Sequence, residues 1–349
     1  MTILRIVFVG FGLTVAACGQ NTFTDGLGPL VDDGGADNLL GPDGSAHRSE
    51  DMAHRPGAPG QDLAVPPPGT DMATQPVPNT GVGPHGGSVT LLHFGVSGDT
   101  RPPSCEDTQG YPTMVINGIA NQFKTRNAQF AIDLGDHMYV CNDDLSTALA
   151  QMSLFMKAVH LYGATWFLTE GNHECWKGPC LAGSQNANYV AFMQALAPIA
   201  QRPYYSFSVN TSHGLATFVV VADNSWDNLQ AAWLDQTLAA ADANAKYTIV
   251  ARHHPEGDTS VATNQDIMTI IRNHKFALFL AGHDHLYKHM KTDNGRDLVL
   301  GNSGAPLIAG GTFYGYGVVD QLDDGRLQVT VWDLTNNAPV DSWAVGPNQ

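Results

Sequence analysis

Three short blocks hold the residues best suited to chemistry: Gly135-Asp136, Gly171-Asn172-His173-Glu174 and Gly282-His283-Asp284-His285. Their carboxylate, amide and imidazole groups are donors that hard and borderline divalent or trivalent ions favour. Two such ions about 3.5–4 Å apart can share a bridging carboxylate and lower the pKa of a shared water until it is a nucleophile near neutral pH. The bridging carboxylate would be Asp136. Both ions would also neutralise charge developing on a phosphoryl group. The blocks describe a two-metal hydrolase of phosphoesters.

The elements that must position these groups are visible as apolar runs. Phe130 to Leu134 leads into Gly135-Asp136, Trp166 to Leu168 into Gly171-Asn172, and Phe276 to Leu280 into Gly282-His283. Leu91 to Val96 delivers Gly98-Asp99-Thr100-Arg101, and Thr248 to Ala251 delivers Arg252-His253-His254-Pro255. Donors carried from strand ends onto loops lie where open α/β sheets bind ligands. One glycine-aspartate pair alone is ordinarily a turn; five strand-end donors are not explained by packing. Amphipathic helices are expected at Thr113 to Arg126, Asp144 to His160, Asn188 to Ala200, Leu229 to Asn244 and Asn264 to Asn273. Arg296 to Gly301, Gly315 to Leu322 and Arg326 to Asp333 read as strands, with a turn at Asp323-Asp324-Gly325.

Taken together, the blocks resemble those of the calcineurin-like metallophosphoesterase superfamily. The first motif of that superfamily is usually Asp-x-His, whereas this chain has Asp99-Thr100-Arg101. The purple acid phosphatase branch also lacks the histidine and supplies a tyrosine in the pattern G-D-x-x-Y, which Gly135-Asp136-His137-Met138-Tyr139 fits. The resemblance implies an α/β fold of four layers, α/β/β/α, in which a two-sheet sandwich is flanked by helices. Carried over residue by residue, it implies Asp99, Asp136, Tyr139 and His285 on the first metal and Asp136, Asn172, His253 and His283 on the second. His253 is favoured by standing two residues before Pro255, with His254 as the alternative. His173 matches the residue that contacts the phosphate and helps the leaving group depart. Two metal ions are the implied cofactors: iron at the first site, since a phenolate suits a hard ferric ion, and Zn, Mn or Fe at the second. The substrate implied is a small phosphoester, and an acid-phosphatase-like phosphomonoesterase is the leading function. A phosphodiesterase or nucleotidase, and a surface binding lipoprotein with an idle metal domain, are the alternatives.

Arg101 has two readings, a bidentate phosphate contact or an ordinary surface arginine. His254 and His137 divide between outer-pocket contacts and structural histidines, and Glu174 is expected to orient a neighbouring backbone or ligand by hydrogen bonding. The leaving-group pocket is assigned to loops such as Trp176 to Ala187 and Asp223 to Asn228.

Residues 1–17 carry Arg5, an apolar stretch from Ile6 to Val15 and then small residues, which is the pattern of a signal peptide. Val15-Ala16-Ala17-Cys18 resembles a bacterial lipobox, so Cys18 is the expected lipidation site and acyl chains the membrane anchor. Gly19 in place of aspartate favours the outer membrane of the cell envelope; the alternative is a secreted protein in which Cys18 is incidental. Residues 18–87 are dense in Gly, Pro and Asp and are expected to form a disordered tether. From Gly19 onwards that segment holds nine acidic residues against Arg48 and Arg55, nearly half of the overall charge of -16. Such acidity argues against a nucleic-acid partner. The catalytic domain is expected at residues 88–346, with 347–349 a tail.

Apart from Cys18, four cysteines remain, and in an oxidising compartment disulfides are expected. Three connectivities exist. Cys175 and Cys180 enclose a short turn-prone loop, and Cys105 and Cys141 each follow a donor-bearing turn, so Cys175 with Cys180 and Cys105 with Cys141 is the expected pairing.

Overall fold

The computed structural model describes residues 79–290 and 295–349. The signal peptide, Cys18 and most of the expected tether lie outside those residues.

Two sheets face each other. One has eight strands in the order β1 (Gly81–Gly83), β2 (Gly86–Ser88), β6 (Tyr205–Thr211), β7 (Gly214–Val220), β8 (Tyr247–Ala251), β9 (Leu278–Ala281), β11 (Asp297–Leu300) and β10 (Tyr287–Met290). The other runs β14 (Ala338–Val345), β13 (Leu327–Asp333), β12 (Gly315–Gln321), β3 (His93–Ser97), β4 (Phe130–Asp133) and β5 (Trp166–Leu168). An aromatic seam joins them. Phe94 and Phe130 of one sheet meet Phe218 of the other edge-on at 5.4 and 5.3 Å, and Phe167 stacks on Phe207 at 3.6 Å. Buried aromatic pairs of this kind contribute beyond their area.

Parallel pairing demands crossovers, and the chain supplies helices for them. Helix α1 (Thr113–Thr125) links β3 to β4, and α2 (Leu145–Tyr162) links β4 to β5. Phe123 of α1 packs edge-on against Trp166 and Tyr316, which seats that helix on the six-stranded sheet. Helices α4 (Asn228–Asn244) and α5 (Asn264–Arg272) bury Leu234, Leu238, Ile267 and Ile271 against Val219, Val250 and Phe279 of the eight-stranded sheet. The result is the four-layer order implied by the resemblance. Local signals set the helix ends: Asp144 caps α2 by accepting from the Ser146 amide, Asp227 caps α4 from Gln230, and Asn186 caps α3 (Ala187–Leu196) from Asn188 and Tyr189.

The domain extends past its expected limits at both ends. Residues 81–83 and 86–87, read as tether, form β1 and most of β2, and β2 pairs in parallel with β6. Backbone pairing needs no apolar alternation, so this glycine-rich stretch gave no strand signal. At the other end Asn348, read as tail, accepts from the Thr248 amide and donates to the Ala245 carbonyl, tying the terminus to the start of β8.

Candidate metal centre

Every strand that carries a sequence-identified donor is parallel to a neighbour and releases it at its carboxyl end. Asp99 follows β3, Asp136 follows β4 and Asn172 follows β5; His253 follows β8, and His283 and His285 follow β9. The six-stranded sheet thus delivers three donor loops and the eight-stranded sheet two to one edge of the sandwich. Close approach is made possible by glycine. A Cβ on Gly171 would stand 2.3 Å from Asp136 Oδ1, and one on Gly135 would stand 2.7 Å from the Gly171 amide nitrogen.

One pole gathers Asn172, His253 and His283. His253 Nδ1 is 2.7 Å from the Leu134 carbonyl, which can only accept, so Nδ1 carries the proton. Burial holds the ring's pKa down at about 3, so it is neutral and Nε2 presents a lone pair. That lone pair faces Asn172 Oδ1 at 3.0 Å and Asp136 Oδ1 at 3.4 Å. His283 Nδ1 is 3.0 Å from the same Asn172 oxygen and 3.3 Å from His253 Nε2. Its pKa is also lowered, first by burial and then by His254. Acceptor atoms converging on acceptor atoms fit a cation, and deprotonated imidazole is the form that ligates one.

The other pole gathers Asp99, Asp136 and His285, whose ligand atoms lie within 4.8 Å of one another. Asp99 Oδ2 accepts from the His283 amide, while Oδ1 is buried without a hydrogen bond and faces His285 Nε2 at 3.5 Å. Burial, then the adjacent Asp136 charge, lifts the Asp99 pKa to about 7 against the lowering pull of His285. His285 Nδ1 is fixed on the Pro306 carbonyl at 2.8 Å. Asp136 belongs to both poles: Oδ1 faces His253 and accepts from the His173 amide, and Oδ2 lies 3.6 Å from Arg101 Nε and 3.7 Å from His173 Nε2. Burial opposes its charge, yet His173, His253 and Arg101 together hold its carboxyl well below the usual range. The donor set at both poles is oxygen and nitrogen, which suits the divalent and trivalent ions named above.

Tyr139 is half-buried beside this pole, its ring edge-on to His173 at 4.3 Å and beneath the Arg101 guanidinium at 4.6 Å. His173 stacks on Trp176 at 5.0 Å; burial lowers its pKa to about 4, and its Nδ1 has no partner. His254 holds Asp223 through its amide and Nδ1, yet a ring nitrogen stays within 4.8 Å of the His253 and His283 donors. His254 is buried beside His253, and the ring nitrogens of His253, His254 and His283 converge.

Supporting groups lie beneath. Glu174 accepts from the amides of Asp136, His137 and Gly171, clasping the loops after β4 and β5. His137 is fully buried between Asp133 and Glu174; burial opposes its charge, but the two carboxylates raise its pKa to about 10. Its ring packs against Phe155 and Phe192. Asp223, which pairs with Arg252 at 2.9 Å and orients His254, was missed by sequence reasoning although it ends the apolar run of β7 in the manner of the other donors. Asp258, 3.3 Å from His283 Nε2, follows no strand and left no signal.

Beside the Asn172 pole opens a cavity of about 510 Å³ walled by Trp176, Trp226 and Val261, with Lys177 and Asp223 among its polar groups. It joins the two loops assigned to the leaving group and adds residues 260–263, which were not anticipated. The cysteines pair as expected, Cys105 with Cys141 and Cys175 with Cys180. The second pair braces the cavity wall.

Residues 92–287 match the model of the calcineurin-like phosphoesterase family. Tartrate-resistant acid phosphatase type 5 of Sus scrofa is 28% identical over 222 residues, covering 53% of this chain and 61% of that protein. The same enzyme of Mus musculus is 24% identical over 221 residues, covering 53% and 64%. The chain therefore spans less than two thirds of the length of these relatives. Among solved structures, GAP50, the anchor in the inner membrane complex of Plasmodium, aligns at a TM-score of 0.57 and 14% identity over 75% of this chain and 90% of that one. Purple acid phosphatase PPD1 of yellow lupin (Lupinus luteus) aligns at 0.54 and 16% over 74% and 54%. At such identities the likeness is one of fold.

Proposed function

Because the chain belongs to the calcineurin-like phosphoesterase family, we propose that it is a hydrolase of phosphomonoesters with a dinuclear metal centre. The observation that carries this reading is Asp136, a single carboxylate that faces His253 of one donor group and has a ligand atom within 4.8 Å of those of Asp99 and His285 in the other. Ions bound there would lower the pKa of coordinated water and neutralise charge on the phosphoryl group. Asp99, Asp136, Tyr139 and His285 would hold the first, and Asp136, Asn172, His253 and His283 the second. His173, stacked on Trp176 with its amide donating to Asp136, would meet the phosphoryl oxygens and the departing group. Neutral in the protein's own field, it acts first as a positioned hydrogen-bond partner rather than as a fixed positive charge. The cavity walled by Trp176 and Trp226 takes the leaving group.

The test is p-nitrophenyl phosphate beside its bis-ester, with Fe, Mn and Zn supplied separately to chelator-stripped protein. Turnover of the monoester above the diester supports the proposal, the reverse order makes the chain a diesterase, and no turnover with any ion removes the enzymatic reading. One observation favours that last outcome, a binding lipoprotein with an idle centre: the Arg101 guanidinium lies against donors of the first pole.

A further inference from the structure

We infer that Arg101 competes with a metal ion for the first pole, so that the centre takes one ion tightly and a second only as the guanidinium moves away. The inference rests on the two-ion reading above and concerns the order in which its sites fill.

Three contacts carry it. Arg101 Nε lies 3.6 Å from Asp136 Oδ2 and is buried without a hydrogen-bond partner. Its Nη2 lies 3.5 Å from His285 Nε2, and its guanidinium carbon lies 4.6 Å from the centre of the Tyr139 ring. Asp136, His285 and Tyr139 are three of the four groups assigned to the first ion. A cation already stands among the atoms a second cation would need, and like charges in contact repel strongly even at the effective dielectric of a protein. At the other pole the converging ligand atoms are those of Asn172, His253, His283 and Asp136 Oδ1.

Few hydrogen bonds hold the guanidinium: its one bond to the backbone is local, from Nη1 to the Pro102 carbonyl at 3.1 Å, and the side chain is 14% exposed. Loading the first pole must break the Asp136 and Tyr139 contacts, and that loss is subtracted from the ion's affinity. Asp99, whose buried Oδ1 has no hydrogen bond, supplies the pull in the opposite direction.

The experiment titrates zinc into the full-length chain after chelator treatment, by calorimetry, with bound ions counted by elemental analysis after gel filtration. Wild type should show one tight ion and a second at least about tenfold weaker. In Arg101→Gln and Arg101→Ala, each checked for native circular dichroism, the two steps should draw within about threefold of each other. Iron loading gives an independent readout, with any tyrosinate charge-transfer band stronger per protein in the variants than in wild type. Two equally tight ions in wild type, or a second step unchanged in both variants, would overturn the competition. Failure of every chain to bind any ion would instead remove the two-ion reading on which it stands.

Discussion

Asp99, Asp136 and His283 adopt φ of 60°, 60° and 67°, a left-handed backbone that side chains other than glycine, asparagine and aspartate seldom occupy. Each such residue costs on the order of 1–3 kcal/mol and persists where its surroundings over-determine it. Here the surroundings are the donor loops themselves: the His283 amide is spent on Asp99, and the Asp136 amide on Glu174. Asparagine tolerates the same backbone, so Asp136→Asn should keep the fold and its melting temperature near wild type while turnover falls by about 10³-fold or more. Phosphate release measured beside thermal unfolding checks this, and near-normal turnover would sink the role of Asp136. Tyr139→Phe separates ligand from packing. The ring contacts with His173 and Trp176 survive that change, so stability should hold while any charge-transfer band of iron-loaded protein disappears. An unchanged spectrum would mean that the phenol is no ligand. The donors themselves were legible because each follows an apolar run; their backbone conformations and the placement of Arg101 were not, since both depend on which loops meet.

Among elements, the centre depends on how closely β4 and β5 bring their loops together, and Glu174 is the clasp. It accepts three backbone amides from the two loops and faces the buried imidazole of His137. Glu174→Ala leaves those amides unsatisfied and His137 with Asp133 as its remaining carboxylate partner, and removing one partner of a buried pair costs about 3–5 kcal/mol. Urea unfolding of the variant should show a loss of that size, and ion binding should weaken although no ligand has been touched. A midpoint within experimental error of wild type would show that the loops are held by something else. The strands that carry donors were visible because they are buried on both faces and read as unbroken apolar runs, as β4 and β8 do. Strands β6 and β7 were passed over although β6 alternates buried and exposed residues; β14, mostly exposed and containing Pro339, offers little pattern to find.

For the whole molecule, every group assigned to the centre lies between Asp99 and His285, and Cys18 lies far upstream. We propose that Cys18 is lipidated and tethers the domain to the cell envelope through the Gly/Pro/Asp-rich segment. The support is the Val15-Ala16-Ala17-Cys18 pattern after an apolar stretch too short to span a bilayer. Among the described residues no helix is long and apolar enough to cross a membrane; in this proposal the acyl chains make the attachment. Each buried CH₂ is worth about 0.8 kcal/mol, and stable anchoring takes more than one chain. Cys18→Ala should therefore move the protein from the membrane fraction to the soluble fraction and abolish incorporation of labelled fatty acid. Turnover per mole should be unchanged, since Cys18 lies outside the domain that carries the centre. If Cys18→Ala stayed with the membranes, attachment would have to come from another part of the chain, and the acidic segment would lose its role as a tether.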